Sequence, residues 1–321
     1  MRYIGIDIGG TNLKAGMVDE GGRLIAVQKM KIASVTDAAT LAWTLHAMVV
    51  DLCKETNTSE AELFSVGVGC PGTVQIRSGS ILSTCNLPFR NVPLRRLYHQ
   101  MSHTPFYIEN DANCAALGEY YAGAGRGSKR FITVTRGTGV GGGIIHNGKI
   151  YHGSNGIAGE VGHMTVDMNG EECPCGNRGC WEGYASATAL KRLTKEAWEQ
   201  NPDSILARVI AENGEKVSGR SAFIAAREGC PVGQAVCDRY IDYLSVGIIN
   251  LINIFQPDTL AIGGGVSNET DEQLLFPLRE RVAKRAISYK AEKLPHIVKA
   301  ELGNDAGLVG AALLGRKKRI I

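Results

Sequence analysis

Apolar residues fall along this chain in short runs that end in glycine, interrupted by two stretches with helical spacing. Residues 3–8 form a β-rich run ending in Gly9-Gly10-Thr11, and residues 13–18 and 24–28 predict strands on either side of the turn Asp19-Glu20-Gly21-Gly22. Residues 64–69 predict a buried strand closed by Cys70-Pro71-Gly72, and residues 105–109 predict another, with a helix over 112–121 opening behind Asn110-Asp111. A further strand starts at Phe131 and enters Gly137-Thr138-Gly139-Val140-Gly141-Gly142-Gly143; Asn147-Gly148 then supplies a two-residue hairpin turn. Leu41, Leu45, Met48 and Leu52 mark one face of a helix over 38–54. Val236, Tyr240, Leu244, Ile248, Leu251 and Phe255 mark a longer buried helix, which Pro257 stops. Residues 259–262 read as a strand entering Gly263-Gly264-Gly265, and residues 307–314 as a helix of small apolar residues. The order strand, Gly/Thr turn, strand occurs at both 4–11 and 131–138, which predicts two lobes of similar construction facing a cleft.

Composition sharpens this picture. Of 40 glycines among 321 residues, 18 lie between Gly118 and Gly183 and only five within 184–262, so the excess marks loops where backbone approaches something closely. With 44% apolar and 21% charged residues, disorder is excluded. The net charge, 35 − 32 = +3, gives no footing for nucleic acid or an anionic membrane, and the run Arg316-Lys317-Lys318-Arg319 reads as solvated charge. No stretch approaches the roughly 18 apolar residues of a membrane span. Asp7 interrupts what would have to be the apolar part of a signal peptide, so a cytoplasmic protein is expected. Nine cysteines, an odd number, then read as thiols and ligands rather than as a disulfide framework.

Gly137, Gly139 and Gly142 fit G-x-G-x-x-G, but that fingerprint must open a helix, and here it runs into the hairpin at Ile144-Ile145-His146-Asn147-Gly148. A P-loop reading of Gly143 to Lys149 fails as well, because Ile150 has no hydroxyl for Mg²⁺. What remains is a hairpin turn whose unhindered N–H groups, with the Thr138 hydroxyl, can converge on phosphate oxygens. Gly9, Gly10, Thr11 and Asn12 offer the same chemistry.

Cys173-Pro174-Cys175-Gly176-Asn177-Arg178-Gly179-Cys180 places three thiols within eight residues, which suits a tetrahedral Zn²⁺ site that needs one more ligand. His163 is the natural fourth, with His146 and His152 as competitors; four protein ligands would make the zinc structural. Glu160, three residues before His163, and Glu182, two after Cys180, flank the cluster, where they could grip a polyol.

Two sets of motifs carry a resemblance. Asp7-Ile8-Gly9-Gly10-Thr11-Asn12, the turn 137–143 and Ile262-Gly263-Gly264-Gly265-Val266 resemble the phosphate and adenosine motifs of the sugar-kinase/actin/Hsp70 superfamily. Gly156-Ile157-Ala158-Gly159-Glu160-Val161-Gly162-His163, followed by 173–182, is similar to the ROK signature (repressors, open reading frames and sugar kinases), nearest its bacterial ATP-dependent glucokinases. The resemblance implies a two-lobed α/β, ribonuclease H-like fold with an interlobe cleft. It implies a small lobe over 1–115, completed by a C-terminal helix at 303–321, and a large lobe over 116–302 with the zinc loop and a dimerisation surface. It also implies transfer of the ATP γ-phosphate, with Mg²⁺, to the 6-hydroxyl of glucose, in a homodimer or higher homo-oligomer.

Residue by residue, the resemblance makes Asp111 the catalytic base and assigns sugar contacts to Gly72, Asn86, Asn110, Asp111, Glu160, His163 and Glu182. Gly9, Gly10, Thr11, Asn12, Lys14, Gly137, Thr138, Gly139, Gly264 and Gly265 would serve the nucleotide, and His163, Cys173, Cys175 and Cys180 the zinc. Taken without the resemblance, an Asn-Asp pair before a helix is most often a cap. Arg136 departs from the family, which usually has an apolar residue there. Kinases for fructose, allose, N-acetylmannosamine or N-acetylglucosamine are the alternatives. A sugar-responsive repressor is a further one, expected to need a DNA-binding domain ahead of a strand that here starts at Tyr3.

Overall fold

The computed structural model describes residues 1–84, 87–265, 269–287 and 294–319; Asn86 and Val266, both named above, lie outside them. The chain divides into two compact units, one of Met1–Thr133, Gly143–Gly159 and Glu301–Ile321, the other of Val134–Gly142 and Glu160–Ala300.

In the first unit, β1 (Arg2–Ile8), β2 (Asn12–Asp19) and β3 (Leu24–Lys31) form an antiparallel meander. After α1 (Ala38–Glu55), β4 (Leu63–Cys70) returns parallel to β1. A small antiparallel sheet of β5 (Thr73–Gln75), β6 (Ser80–Ser83) and β7 (Arg90–Val92) follows, then α2 (Leu94–Tyr98). β8 (Phe106–Asn110) lies parallel to β4 and runs directly into α3 (Asp111–Ala122), giving the sheet order β3-β2-β1-β4-β8. Ile4, Ile6 and Ile8 pack with Leu41, Leu45, Met48 and Leu52 of α1, the stripe expected from spacing, and with Val66, Val68 and Ile108 in one core.

The following strands, β9 (Arg130–Arg136), β10 (Val140–His146) and β11 (Lys149–Ile150), begin a second sheet. Asn147 and Gly148 both take positive φ, 47° and 68°, the backbone that the tight β10–β11 turn needs. Helices α4 (Glu182–Ala185), α5 (Ala187–Gln200), α6 (Ile205–Glu212), α7 (Gly219–Arg227) and α8 (Pro231–Phe255) follow. β12 (Thr259–Gly263), α9 (Leu275–Arg285) and β13 (His296–Lys299) complete a sheet of order β11-β10-β9-β12-β13. In α8, Val236, Tyr240, Leu244, Ile248 and Leu251 are buried, and Gln256 in the left-handed region ends the helix before Pro257.

The last helix, α10 (Ala306–Ala312), belongs to the first unit. It packs on α3, β1 and β4 at backbone contact: a Cβ on Gly310 would stand 1.7 Å from the Cys114 carbonyl oxygen, and one on Gly67 1.8 Å from that of Ala311. That closeness explains why the tail is built from small residues. Among the described residues no helix is long and apolar enough to cross a membrane, and the eight described cysteines are all free.

Candidate functional site

Strand ends and a helix cap assemble the polar residues of the first unit. Asn110 caps α3, its Oδ1 accepting the N–H of Ala112 (2.9 Å) and of Asn113 (3.2 Å). The Asn110 amide donates to the carbonyl of Gly72 at 3.2 Å. Gly72 itself has φ 96°, and a Cβ there would stand 2.4 Å from the Ser83 carbonyl oxygen, so only glycine fits the turn that meets Asn110. The cap expected from residue type is therefore present. It also fixes the carboxylate that follows: Asp111 Oδ1 accepts the Ala112 N–H at 2.9 Å.

Burial raises the Asp111 carboxyl above its ordinary range, against the hydrogen bonds from the Ala112 N–H, its own N–H and Asn110. Asp7 on β1 feels Asp111. Burial first, then the Asp111 charge, pushes its carboxyl up to about 6, with Lys14 pulling the other way. No donor among the described residues bonds the Asp7 carboxylate. Lys14 is held by the Asp305 carboxylate and also donates to the Asn304 carbonyl at 3.3 Å. Paired carboxylates with raised values are a mark of functional sites. Asp7 is not among the site residues that the motifs mark, although it stands two residues before Gly9 in the first glycine motif.

A second omission is Glu109, 2% exposed at the end of β8. Its Oε1 accepts the Asn110 N–H (2.9 Å) and the Asn113 amide (3.0 Å), while Oε2 lies 2.7 Å from His152 Nε2. His152 is thus engaged by a carboxylate rather than by the cysteines. Nothing local signals this contact, since the partners stand 43 residues apart.

In the second unit an irregular loop supplies the chemistry. His163, Cys173, Cys175 and Cys180 bring one ligand atom each within 4.8 Å of one another. Cys175 Sγ and Cys180 Sγ are 3.7 Å apart, and Cys173 Sγ is 3.7 Å from His163 Nδ1. Tetrahedral metal–sulfur bonds of about 2.3 Å put two sulfurs about 3.8 Å apart, so the cluster fits a metal. Among the described residues His163 is the histidine of this group, which decides against His146 and His152.

The loop is anchored by Trp181, fully buried, whose indole N–H donates to the Tyr243 carbonyl at 2.9 Å. Gly247 on α8 makes room for the ring, as a Cβ there would lie 2.0 Å from Trp181 Cε2. A 3₁₀ turn, Val161–His163, sets His163 Nε2 4.0 Å from the exposed carboxylate of Glu160. With Nδ1 turned to the sulfurs, Nε2 is left for another partner.

Residues 137–139 link β9 to β10 as a tight turn, with the Gly137 N–H bonded to the Gly139 carbonyl at 3.0 Å. The start of α5 holds this turn: Ala187 N–H donates to the Gly137 carbonyl (3.0 Å) and Thr188 Oγ1 to that of Thr138 (2.8 Å). Glu182 Oε2 accepts the Val140 N–H at 2.9 Å and lies where a Cβ on Gly139 would be, 2.1 Å away. Glu182 therefore joins the cysteine loop to the glycine turn, with Oε2 already used. Gly264, φ 95°, presses its backbone on Arg136, whose carbonyl oxygen would be 1.8 Å from a Cβ at that position. Gly9 closes the β1–β2 turn by donating to the Asn12 carbonyl at 2.9 Å, while Gly10 and Gly265 face open space.

Residues 3–318 match the ROK family. The chain is 36% identical to a glucokinase of Halalkalibacterium halodurans, over 98% of this chain and 95% of that one. It is 30% identical to an N-acetyl-D-glucosamine kinase of Vibrio cholerae, over 98% and 100%. A ROK family glucokinase from Streptomyces griseus, crystallised with glucose and AMPPNP, superposes with a TM-score of 0.81 at 35% identity, over 98% and 99% of the two chains. The mixed α/β fold inferred from the glycine motifs is the fold of these sugar kinases, and the chain belongs to the ROK family.

Proposed function

We propose that this protein transfers the γ-phosphoryl group of ATP to the 6-hydroxyl of a hexose, with glucose the preferred acceptor. The observation that carries the reading is Asp111, a half-buried carboxylate whose affinity for protons is raised, fixed at the first turn of α3 beside Asp7. A sugar hydroxyl is a weak nucleophile and needs a base near it. Asp111 takes the hydroxyl proton as the sugar oxygen bonds to phosphorus; the bond from phosphorus to the bridging oxygen breaks, and ADP leaves.

Asn110 and Gly72 hold the approach to Asp111, and Asn86 is assigned to the same sugar. Glu160, His163 Nε2 and the free oxygen of Glu182 bind further hydroxyls through charge-assisted bonds. Gly9, Gly10, Thr11, Asn12 and Lys14 in one unit, and Gly137, Thr138, Gly139, Gly264 and Gly265 in the other, are assigned to the nucleotide. Three thiols and an imidazole suit Zn²⁺, which when bound would hold the sugar loop in shape. Mg²⁺ would arrive with ATP and reduce its charge; Asp7 offers the oxygen chemistry such an ion takes.

The reading also keeps a small lobe over 1–115 with 303–321, a large lobe over 116–302 and a homodimer. Light scattering that returned a monomer would end the last of these. The 35–36% likeness to glucokinases supports glucose, and the Vibrio cholerae relative gives a second reading with an N-acetylated amino sugar. ADP release measured across hexoses and amino sugars decides between them. The highest kcat/KM is expected with glucose; release with no sugar on the panel would sink the reading.

A further inference from the structure

Arg136, the last residue of β9, is 0% exposed. Its Nη1 donates to Tyr240 Oη at 3.2 Å, and Tyr240 Oη in turn donates to the Ala185 carbonyl at 2.8 Å. Nε and Nη2 have no hydrogen-bond partner among the described residues, and no carboxylate there pairs with the guanidinium. A guanidinium cannot shed its proton, so this is a full positive charge out of water, facing one phenol oxygen. Burial raises the Tyr240 phenol, with the charge of Arg136 pulling it down, so Tyr240 stays neutral and offers no compensating anion. A charge left in this state burdens the folded protein unless something brings a counter-charge.

The place of Arg136 indicates what that is. It directly precedes Gly137-Thr138-Gly139, and its backbone is the surface on which Gly264 rests. Both turns assigned to nucleotide in the second unit thus adjoin the backbone of the residue that carries this unneutralised cation. Hydrogen bonds from Ala187, Thr188 and Val140 fix the geometry of the 137–139 turn, so the charge acts on a rigid binding surface.

We propose that Arg136 tunes nucleotide affinity. Its buried charge acts through the rigid turn that follows it and favours ligands in proportion to their negative charge, so that triphosphate is held over diphosphate and diphosphate over adenosine. This rests on the reading of residues 137–139 as a phosphate turn. The residue touches no ligand in the proposal. It acts as a field source in a low-dielectric interior, where a unit charge within about 10 Å is worth roughly a factor of ten in binding.

The test is a charge ladder. Binding of ATP, ADP and adenosine to the full-length protein is measured by calorimetry for wild type, Arg136→Met and Arg136→Lys. Arg136→Met should weaken ATP roughly tenfold, ADP by less and adenosine not at all, while raising the melting temperature through removal of the unpaired charge. Arg136→Lys should keep the wild-type ladder, and added salt should leave the difference between wild type and Arg136→Met nearly unchanged, because a buried charge is screened weakly. Tyr240→Phe, which removes the hydrogen bond but not the charge, should also keep the ladder, and Arg136→Gln, which removes the charge but keeps a polar group for the Tyr240 hydroxyl, should repeat the Arg136→Met losses and serves if Arg136→Met does not fold. Equal losses for ATP and adenosine, or no loss in Arg136→Met with normal wild-type binding, would overturn the inference alone. A wild-type protein that binds neither ATP nor ADP would overturn the nucleotide reading together with it.

Discussion

The two units solve the placement of reactive groups in opposite ways. In the first, Asp7 and Asp111 stand on regular structure, a strand and the first turn of a helix, and the ladders and the Asn110 cap hold them. In the second, Glu160, His163 and Glu182 border an irregular loop, gathered by four candidate ligand atoms and anchored by Trp181. The first arrangement is rigid at no further cost, and its side chains are tuned by burial. The second, on the reading proposed above, gains freedom to shape a pocket for hydroxyls and would be held by a metal cross-link. The carboxylates of the first unit should therefore govern turnover, and the loop of the second should govern affinity.

Removing the base is the severest challenge to that contrast. Asp111→Ala should lower kcat by about 10³-fold or more, with sugar KM changed little. Retained turnover would place the base elsewhere. The kcat/KM profile of the wild type should also fall on its acid side above the ordinary aspartate range, because burial raises Asp111.

Asp7 sharpens the point about burial. Its folded value, about 6, exceeds the ordinary 3.8, so the folded state holds this proton more tightly than the unfolded one does. The sign is the reverse of a salt-bridged aspartate: stability falls as pH rises from about 4 through about 6, and stays reduced above. Asp7→Asn should lift stability at pH 7 by an amount of order 2–3 kcal/mol and change it little near pH 3. Urea melts at the two pH values check this, and equal effects at both would show that Asp7 is solvated after all.

For the second unit, stripping the metal by chelation should weaken sugar binding about tenfold to hundredfold while leaving residual kcat at saturating sugar. If a metal-free preparation keeps its sugar affinity, the loop needs no cross-link and the contrast fails. The smallest effect is expected from His152→Gln, which loosens Glu109 behind the Asn110 cap. A loss of about 1 kcal/mol in stability, read from thermal melts, is the expected size, because Asn110 and Asn113 still satisfy the other oxygen.

Local patterns made much of this legible. β1 ends at Ile8 as its apolar run predicts, β4, β8 and β12 each end one residue beyond theirs, the buried stripe of α8 follows from spacing, and the start of α3 differs from expectation by one residue. Dense cysteines beside a histidine point to the four residues that the structure gathers. The rest depends on contacts that no window of sequence contains. The small sheet β5-β6-β7 has strands of three and four residues, too short to show a period. The Glu109–His152 pair and the Arg136–Tyr240 contact span 43 and 104 residues. Glu182 was assigned from the motif to a sugar; the hydrogen bond that ties it to Val140 became visible only in three dimensions.

The helix α10 carries one more consequence, and it concerns time. Its glycines and alanines lie on β1 and β4, which precede it by most of the chain, so the first unit must hold that face open until α10 has been made. Its early strands would emerge from the ribosome long before the element that seals them. The second unit lies wholly within Val134–Ala300 and has no such wait. Protease protection followed during synthesis should therefore appear first in the later part of the chain, an inverted order in which the amino-terminal unit is the last to close.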